Sequence, residues 1–141
     1  PELWPQDPTA RAIARAVTAE MHSGFAALRR DLPMNIRRRC PAQLWPDDTR
    51  RNLARVEALF IDCRTRFGRG GPWLFGQRSI ADAFFAPVAT RLRTYSVPLG
   101  PIAQAWCDTL LADADFKEWE ADAVPDSWDS EGYPVIDRLY R

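Results

Sequence analysis

Apolar residues recur three and four positions apart along most of this chain, in segments separated by proline and glycine. Asp7 and Pro8 open the first segment, because Asp suits an N-cap and Pro suits the first helical turn. The pattern then runs to about Asp31, just before Pro33. Its apolar face consists of Ile13, Val17, Met21, Gly24, Phe25 and Leu28. This spacing predicts one long amphipathic helix over residues 7–31.

Further helices follow a loop over residues 32–46. The second is expected to be capped by Asp47 or Asp48 and to end near Phe67, where glycines follow. The third begins at Ser79 and contains Pro87, which predicts a kink or an early break. The remaining predicted segments are a turn over 97–101, a long helix after it, a short helix over about 113–124, and an irregular tail after Pro125. No period-two pattern is present, so the sequence predicts an all-α bundle of five to six helices.

Length and composition favour one globular domain over residues 1–141. Hydrophobic content of 46% and charged content of 27% are ordinary for such a domain. No apolar run approaches the roughly 18 residues of a membrane span, and the start lacks the order of a signal peptide. The opening Pro1-Glu2-Leu3-Trp4-Pro5 reads as a linker, so we expect the chain to be a fragment.

The charge is balanced in total but uneven along the chain. Residues 1–93 carry 16 Arg and 9 acidic residues, a net of +7, and residues 94–141 carry 3 basic and 10 acidic residues, a net of −7. Two interpretations stay open: an arginine-rich solvated surface, or an electropositive cleft for an anionic ligand. The triplet Arg37-Arg38-Arg39 is short and has no interleaved aromatic residues, so no nucleic-acid partner is expected.

Cys40, Cys63 and Cys107 stand at wide, irregular spacing without a C-x-x-C pair, and His22 is the only histidine. This arrangement predicts no metal site and free thiols in a reducing compartment, which favours a cytoplasmic location. Cys63 and Cys107 fall in apolar helical patterns and are expected in the core. Cys40 falls in the loop and is expected to be exposed.

A capping box is predicted at Ser79 and Asp82, which stand three residues apart before an apolar run. The Ser79 hydroxyl can accept from the backbone of Asp82, and the Asp82 carboxylate can accept from the backbone of Ser79. Asp82 is therefore interpreted as a structural residue and not as a catalytic acid. The box is preceded by Trp73-Leu74-Phe75-Gly76.

This combination resembles the C-terminal helical domain of cytosolic-type glutathione S-transferases, in which a Ser/Thr-x-x-Asp box follows a Leu-x-Gly segment. A second run, Glu20-Met21-His22-Ser23-Gly24-Phe25, is similar to the first helix of that domain in bacterial, beta-like members. Ser23 departs from the basic residue found there. The similarity runs from about Leu3 to about Ala123.

The resemblance implies a site on this chain but no catalytic residue. In the family, a separate N-terminal thioredoxin-like domain binds glutathione and activates its thiol, and that domain is absent from this sequence. Here His22 would be an auxiliary group beside the thiol, where an imidazole can donate to or polarise sulfur. The residues implied to line the electrophile site are Met21, His22, Phe25, Met34, Asn35 and Trp106. For Met21, Phe25 and Trp106 the alternative is plain core packing. For His22 the alternative is a histidine whose hydrogen bonds are satisfied at an interface.

The resemblance further implies a homodimer that conjugates glutathione, as co-substrate, to small hydrophobic electrophiles for detoxification. The fragment alone is expected to be inactive. Two alternatives stay open. One is a non-catalytic binding or assembly module, and the other is a glutathione-dependent isomerase or dehalogenase of the same superfamily. The sequence does not identify the electrophile or the thiol-activating residue.

Overall fold

The computed structural model describes residues 3–36 and 38–123. Within these ranges the chain forms six helices: α1 (Pro8–Ser23), α2 (Ala26–Asp31), α3 (Asp47–Phe67), α4 (Ile80–Thr94), α5 (Pro101–Ala112) and α6 (Ala114–Ala123). Two isolated bridges, Trp73 with Gly76 and Phe75 with Gln77, are the only β pairings in the described ranges. The predicted all-α class is confirmed, whereas the predicted tail after Pro125 lies outside the described residues.

The first predicted helix is in fact two helices. The N-cap and proline signals at Asp7 and Pro8 are confirmed, with Asp7 Oδ1 accepting from Ala10 N at 2.7 Å. Helix α1 then ends at Ser23, because Phe25 adopts a left-handed conformation with φ 61°. The predicted continuous helix to Asp31 is therefore wrong. The periodicity survives across the break because α2 resumes at once.

Helices α3 and α4 differ from the prediction in one detail each. Asp47 and Asp48 lie in the first turn of α3, where their negative charge interacts favourably with the helix dipole. The N-cap position itself is occupied by Pro46, and no side chain caps the helix there. Pro87 does not end α4, which continues to Thr94. The Pro87 carbonyl accepts from Thr90 Oγ1 at 2.8 Å and from Arg91 Nη1 at 2.9 Å. The predicted Asp cap is thus wrong. Of the two outcomes predicted at Pro87, a kink or an early break, the early break does not occur.

An apolar core is enclosed by α1, α3, α4 and α5. At its centre the Trp106 ring lies 4.3 Å from Phe60 and 6.4 Å from Phe85, centroid to centroid, and Phe60 and Phe85 meet edge to face at 5.2 Å. Such offset and edge contacts add to the free energy gained from burial. The core therefore fixes α5 against α3 and α4.

All three cysteines are free and buried. The core positions predicted for Cys63 and Cys107 are confirmed. The exposed position predicted for Cys40 is wrong, because the loop folds back: Cys40 packs with Leu32 and Tyr95 in a second small apolar cluster. Among the described residues, no helix has the length and apolar character needed to cross a bilayer.

Candidate functional site

Asp82 is a four-way hydrogen-bond acceptor at the start of α4. Its Oδ2 accepts from Ser79 N at 2.9 Å and from Ser79 Oγ at 3.1 Å. Its Oδ1 accepts from Leu74 N at 3.0 Å and from the indole Nε1 of Trp106 at 2.9 Å. Both halves of the predicted capping box are present. Asp82 is fully buried, and its partners extend beyond its own helix, which the sequence pattern did not reveal.

Trp106 belongs to this buried network. Its side chain is 0% exposed, with its ring against Phe60 and its N–H on Asp82. The implied place of Trp106 on an electrophile site is therefore not supported, because no ligand reaches a side chain enclosed on all sides. The alternative of core packing describes it correctly.

Met21 and Phe25 also face inward at the end of α1, where both are buried. Arg29 holds this end in place: its Nη2 donates to Met21 O at 2.6 Å, and its Nε donates to Gly24 O at 3.2 Å. Gly24 is required here, because a Cβ would lie 2.7 Å from Glu20 O. Met21 and Phe25 thus form the apolar backing of this end of α1 and not its outer surface.

His22 is exposed on the last turn of α1, next to the buried Met21. Among the described residues, no hydrogen bond or ion pair engages its imidazole. On the same helix, Glu20 pairs with Arg55 of α3 through two hydrogen bonds of 2.7 and 2.9 Å. The hydrogen bond from Arg55 lowers the pKa of Glu20. Glu20 is therefore engaged by Arg55, whereas His22 faces solvent at the end of α1.

Met34 and Asn35 lie in the loop between α2 and α3, and the C-terminal half of α4 fixes that loop. Arg91 Nε donates to Leu32 O at 2.9 Å, Tyr95 Oη to Pro33 O at 2.9 Å, and Thr94 Oγ1 to Asn35 O at 2.7 Å. Because its neighbours on both sides are held, the partly exposed Met34 is presented on an ordered backbone. Asn35 Oδ1 accepts from Arg38 N at 3.1 Å and so shapes the same loop.

These loop contacts come from residues that the sequence analysis did not single out. Arg91 and Thr94 occupy the last turn of α4 and Tyr95 is its C-cap. Arg93 Nη2 adds a hydrogen bond to Ile36 O at 3.2 Å. The signal present in the sequence is a cluster of donor side chains at the end of a helix, but their acceptors are backbone carbonyls. Backbone acceptors leave no mark in a sequence, so the pairing was not predictable.

Positive charge gathers beside this loop. Arg29 and Arg91 both donate to backbone carbonyls, and within residues 3–36 and 38–123 neither forms an ion pair. Burial and the nearby Arg29 guanidinium lower the pKa of Arg91. The end of α1 and the loop therefore offer an imidazole, a thioether and an electropositive background. No group of three or more metal-ligating side chains occurs in the described part of the chain.

Comparison with known protein families identifies a matching family. The family model described as "Glutathione S-transferase, C-terminal domain" matches residues 11–141. A search of curated proteins finds no significant match. The family match covers nearly the whole chain and agrees with the six-helix fold and with the capped helix that begins after Ser79. The chain therefore belongs to the family of glutathione S-transferase C-terminal domains.

Proposed function

We propose that this chain is the electrophile-binding and dimerisation domain of a glutathione S-transferase that conjugates the glutathione thiolate to hydrophobic electrophiles. The observation that carries the proposal is the end of α1, where His22 is exposed directly after the buried Met21. The family to which the chain belongs supports the reaction class. The run Glu20–Phe25 supports a relation to bacterial, beta-like members.

In this proposal a thioredoxin-like N-terminal domain supplies most of the glutathione site and the group that activates the thiol. The thiolate attacks an electrophilic carbon, a carbon–sulfur bond forms, and the leaving group departs with its electron pair. His22 donates to or polarises the sulfur or a carboxylate of glutathione. Met34 provides an adaptable apolar contact for the electrophile, with Asn35 beside it.

The guanidinium groups of Arg29 and Arg91 favour this use of the end of α1 and the loop beside it. Both lack an ion-pair partner among the described residues, so their field extends toward an anionic co-substrate. Met21 and Phe25 contribute indirectly, because they are buried beneath the surface and stabilise the junction between α1 and α2. Trp106 acts only through the core.

The test is a kinetic comparison of variants in the native gene product, purified from its source organism or expressed from the complete gene. We expect glutathione conjugation of 1-chloro-2,4-dinitrobenzene, and we expect His22→Ala to lower kcat/KM by about tenfold or more, as for loss of an auxiliary proton donor. Ser23→Ala is the matched control, because Ser23 is the neighbouring exposed residue and its hydroxyl bonds only Ala19 O at 2.9 Å. We expect Ser23→Ala to leave kcat/KM unchanged.

Two outcomes would overturn this proposal in favour of its alternatives. A native product that binds no glutathione would leave a binding or assembly module. A product that binds glutathione but turns over only isomerisation or dehalogenation substrates would move the chain to that reaction class. Equal losses in His22→Ala and Ser23→Ala would remove His22 from the mechanism. A monomeric native product in sedimentation would remove the dimer.

A further inference from the structure

A cavity of about 470 Å³ lies beside the N-terminus of α1, away from the end that carries His22. Its walls include Trp4, Ala10, Phe67, Phe75, Gln77 and Arg78. Ala10 and His22 are twelve residues apart on one helix, which corresponds to about 18 Å along its axis. The cavity is therefore separate from the end of α1 to which the proposed function assigns His22.

The volume and composition are those of a small-molecule site. Pockets for drug-sized ligands measure roughly 300–1,000 Å³ and combine apolar walls with a few polar groups. Here Trp4, Phe67 and Phe75 supply aromatic surface, and the small side chain of Ala10 leaves room between them. Phe67 and Phe75 are themselves stacked, with centroids 5.6 Å apart, so that wall is rigid.

Residues 4–7 form another part of the lining, and this segment is also held in place. Ile80 N donates to Leu3 O at 2.8 Å. Arg11 Nη1 donates to Pro5 O at 3.1 Å and to Gln6 O at 3.0 Å. These bonds position Trp4 before any ligand arrives, so binding needs little ordering of the chain.

The charged groups that line the cavity are already compensated. Arg78 pairs with Asp113 at 3.1 Å and with Asp115 at 2.5 Å. Asp7 caps α1 by accepting from Ala10 N. An uncharged ligand therefore suits the cavity better than an anion or a cation, which would compete with these pairs.

Gln77 gives the cavity one directional polar group. Its Nε2 donates to Gly70 O at 2.7 Å, which fixes the amide plane. Among the described residues no hydrogen bond reaches Gln77 Oε1, so this oxygen can accept from a ligand. We propose that the cavity between Trp4, Phe75 and Gln77 binds a neutral, planar aromatic molecule that carries one hydrogen-bond donor, such as a phenol or an indole.

The first experiment measures binding of 2-naphthol to this chain by amide chemical-shift mapping and tryptophan fluorescence. We expect saturable shifts at Ala10, Gln77 and Arg78, with no shift at His22. Two probes of matched shape dissect the chemistry. We expect 2-methoxynaphthalene, which has no donor, to bind about threefold to tenfold more weakly, and 2-naphthalenesulfonate to bind more weakly than 2-naphthol.

Variants then test the walls. We expect Trp4→Ala to weaken 2-naphthol binding about tenfold, as expected for loss of a large aromatic contact. Trp119→Ala is the control, since Trp119 is a tryptophan 43% exposed on α6, and we expect it to leave the affinity unchanged. Gln77→Leu keeps the size of an exposed side chain, and we expect it to bind 2-naphthol and 2-methoxynaphthalene equally.

The proposal is overturned by any of three results. They are absence of saturable binding up to the solubility of 2-naphthol, shifts that map elsewhere, or tighter binding of the sulfonate than of the naphthol. If Trp4→Ala fails to fold, the Gln77→Leu variant decides the question by itself. None of these outcomes depends on glutathione conjugation.

Discussion

The indole N–H of Trp106 on α5 donates to the Asp82 carboxylate at the start of α4, across 2.9 Å. Both side chains are fully buried. The same carboxylate holds Ser79 and Leu74, so one charge joins a helix start, the preceding loop and the centre of the core. A buried carboxylate is tolerated only when donors surround it, and here four hydrogen bonds do so.

Asp82→Ala is expected to destabilise the domain by about 3–5 kcal/mol, because it leaves two buried N–H donors and one part-buried N–H donor without a partner. Asp82→Asn keeps one acceptor oxygen and should cost less. The measurement is urea unfolding followed by tryptophan fluorescence. Asp108→Ala on α5 is the control, since Asp108 is exposed and only accepts from Gln104 at 2.8 Å. A free energy of unfolding of Asp82→Ala equal to that of the parent chain would contradict the structural role of Asp82.

The two glycines with positive φ in the turn before α4 are expected to respond differently to substitution by alanine. Gly76 has φ 82°, and a Cβ there would clash with the Arg69 carbonyl. Gly70 has φ 90°, but a Cβ there would meet no close atom, since the nearest, Gln77 Nε2, lies at an ordinary contact distance of 3.9 Å. We expect Gly76→Ala to cost more than about 3 kcal/mol of unfolding free energy, and Gly70→Ala about 1 kcal/mol. Equal losses of unfolding free energy in the two variants would show that the close approach of the Arg69 carbonyl to Gly76 does not determine the effect of the substitution.

The buried thiols should be unreactive in the native state. Burial raises the pKa of Cys63 and of Cys107 to about 12, so very little thiolate is present near neutral pH. With an aromatic disulfide reagent at pH 8, we expect no rapid release of thiolate from the folded chain. In denaturant all three cysteines should react. Rapid reaction of Cys63 or Cys107 without denaturant would indicate that the core opens on the timescale of the assay.

The Glu20–Arg55 pair predicts a specific pH dependence. Because Arg55 lowers the pKa of Glu20 in the folded chain, the pair stabilises above the unfolded pKa of about 4.3, and this contribution is lost as pH falls through the folded value. The contribution is at most about 1 kcal/mol, since both side chains are partly exposed. Glu20→Gln should therefore melt slightly lower than the parent at pH 7, and this difference should shrink as the pH falls toward the folded pKa of Glu20.

Glu118→Gln serves as the control for that comparison, since Glu118 is exposed on α6. Its melting temperature should follow that of the parent chain throughout this pH range. A difference between Glu20→Gln and the parent that stays constant as the pH falls from 7 to 3 would show that the effect comes from packing of the Glu20 side chain and not from its charge.

Much of the fold follows from local rules that the sequence carries by itself. Asp7–Pro8 and Ser79–Asp82 specify helix starts because capping acts within four residues. The three-and-four spacing of apolar residues specifies which face of each helix is buried, and therefore the all-α class. The family resemblance also rests on short local motifs, Glu20–Phe25 and Ser79–Asp82.

Only the tertiary structure decided where those elements meet. The break at Phe25 follows from a left-handed residue that periodicity does not register. Burial of Cys40 and fixation of the loop around Met34 depend on Arg91, Thr94 and Tyr95, about sixty residues away, which donate to backbone carbonyls. Trp106 lies in the core, where its ring packs on Phe60 and its indole N–H donates to Asp82. These hydrogen bonds join residues that are far apart in the sequence. Their acceptors are backbone carbonyls, which every residue has, or the buried Asp82 carboxylate, so local sequence patterns do not encode them.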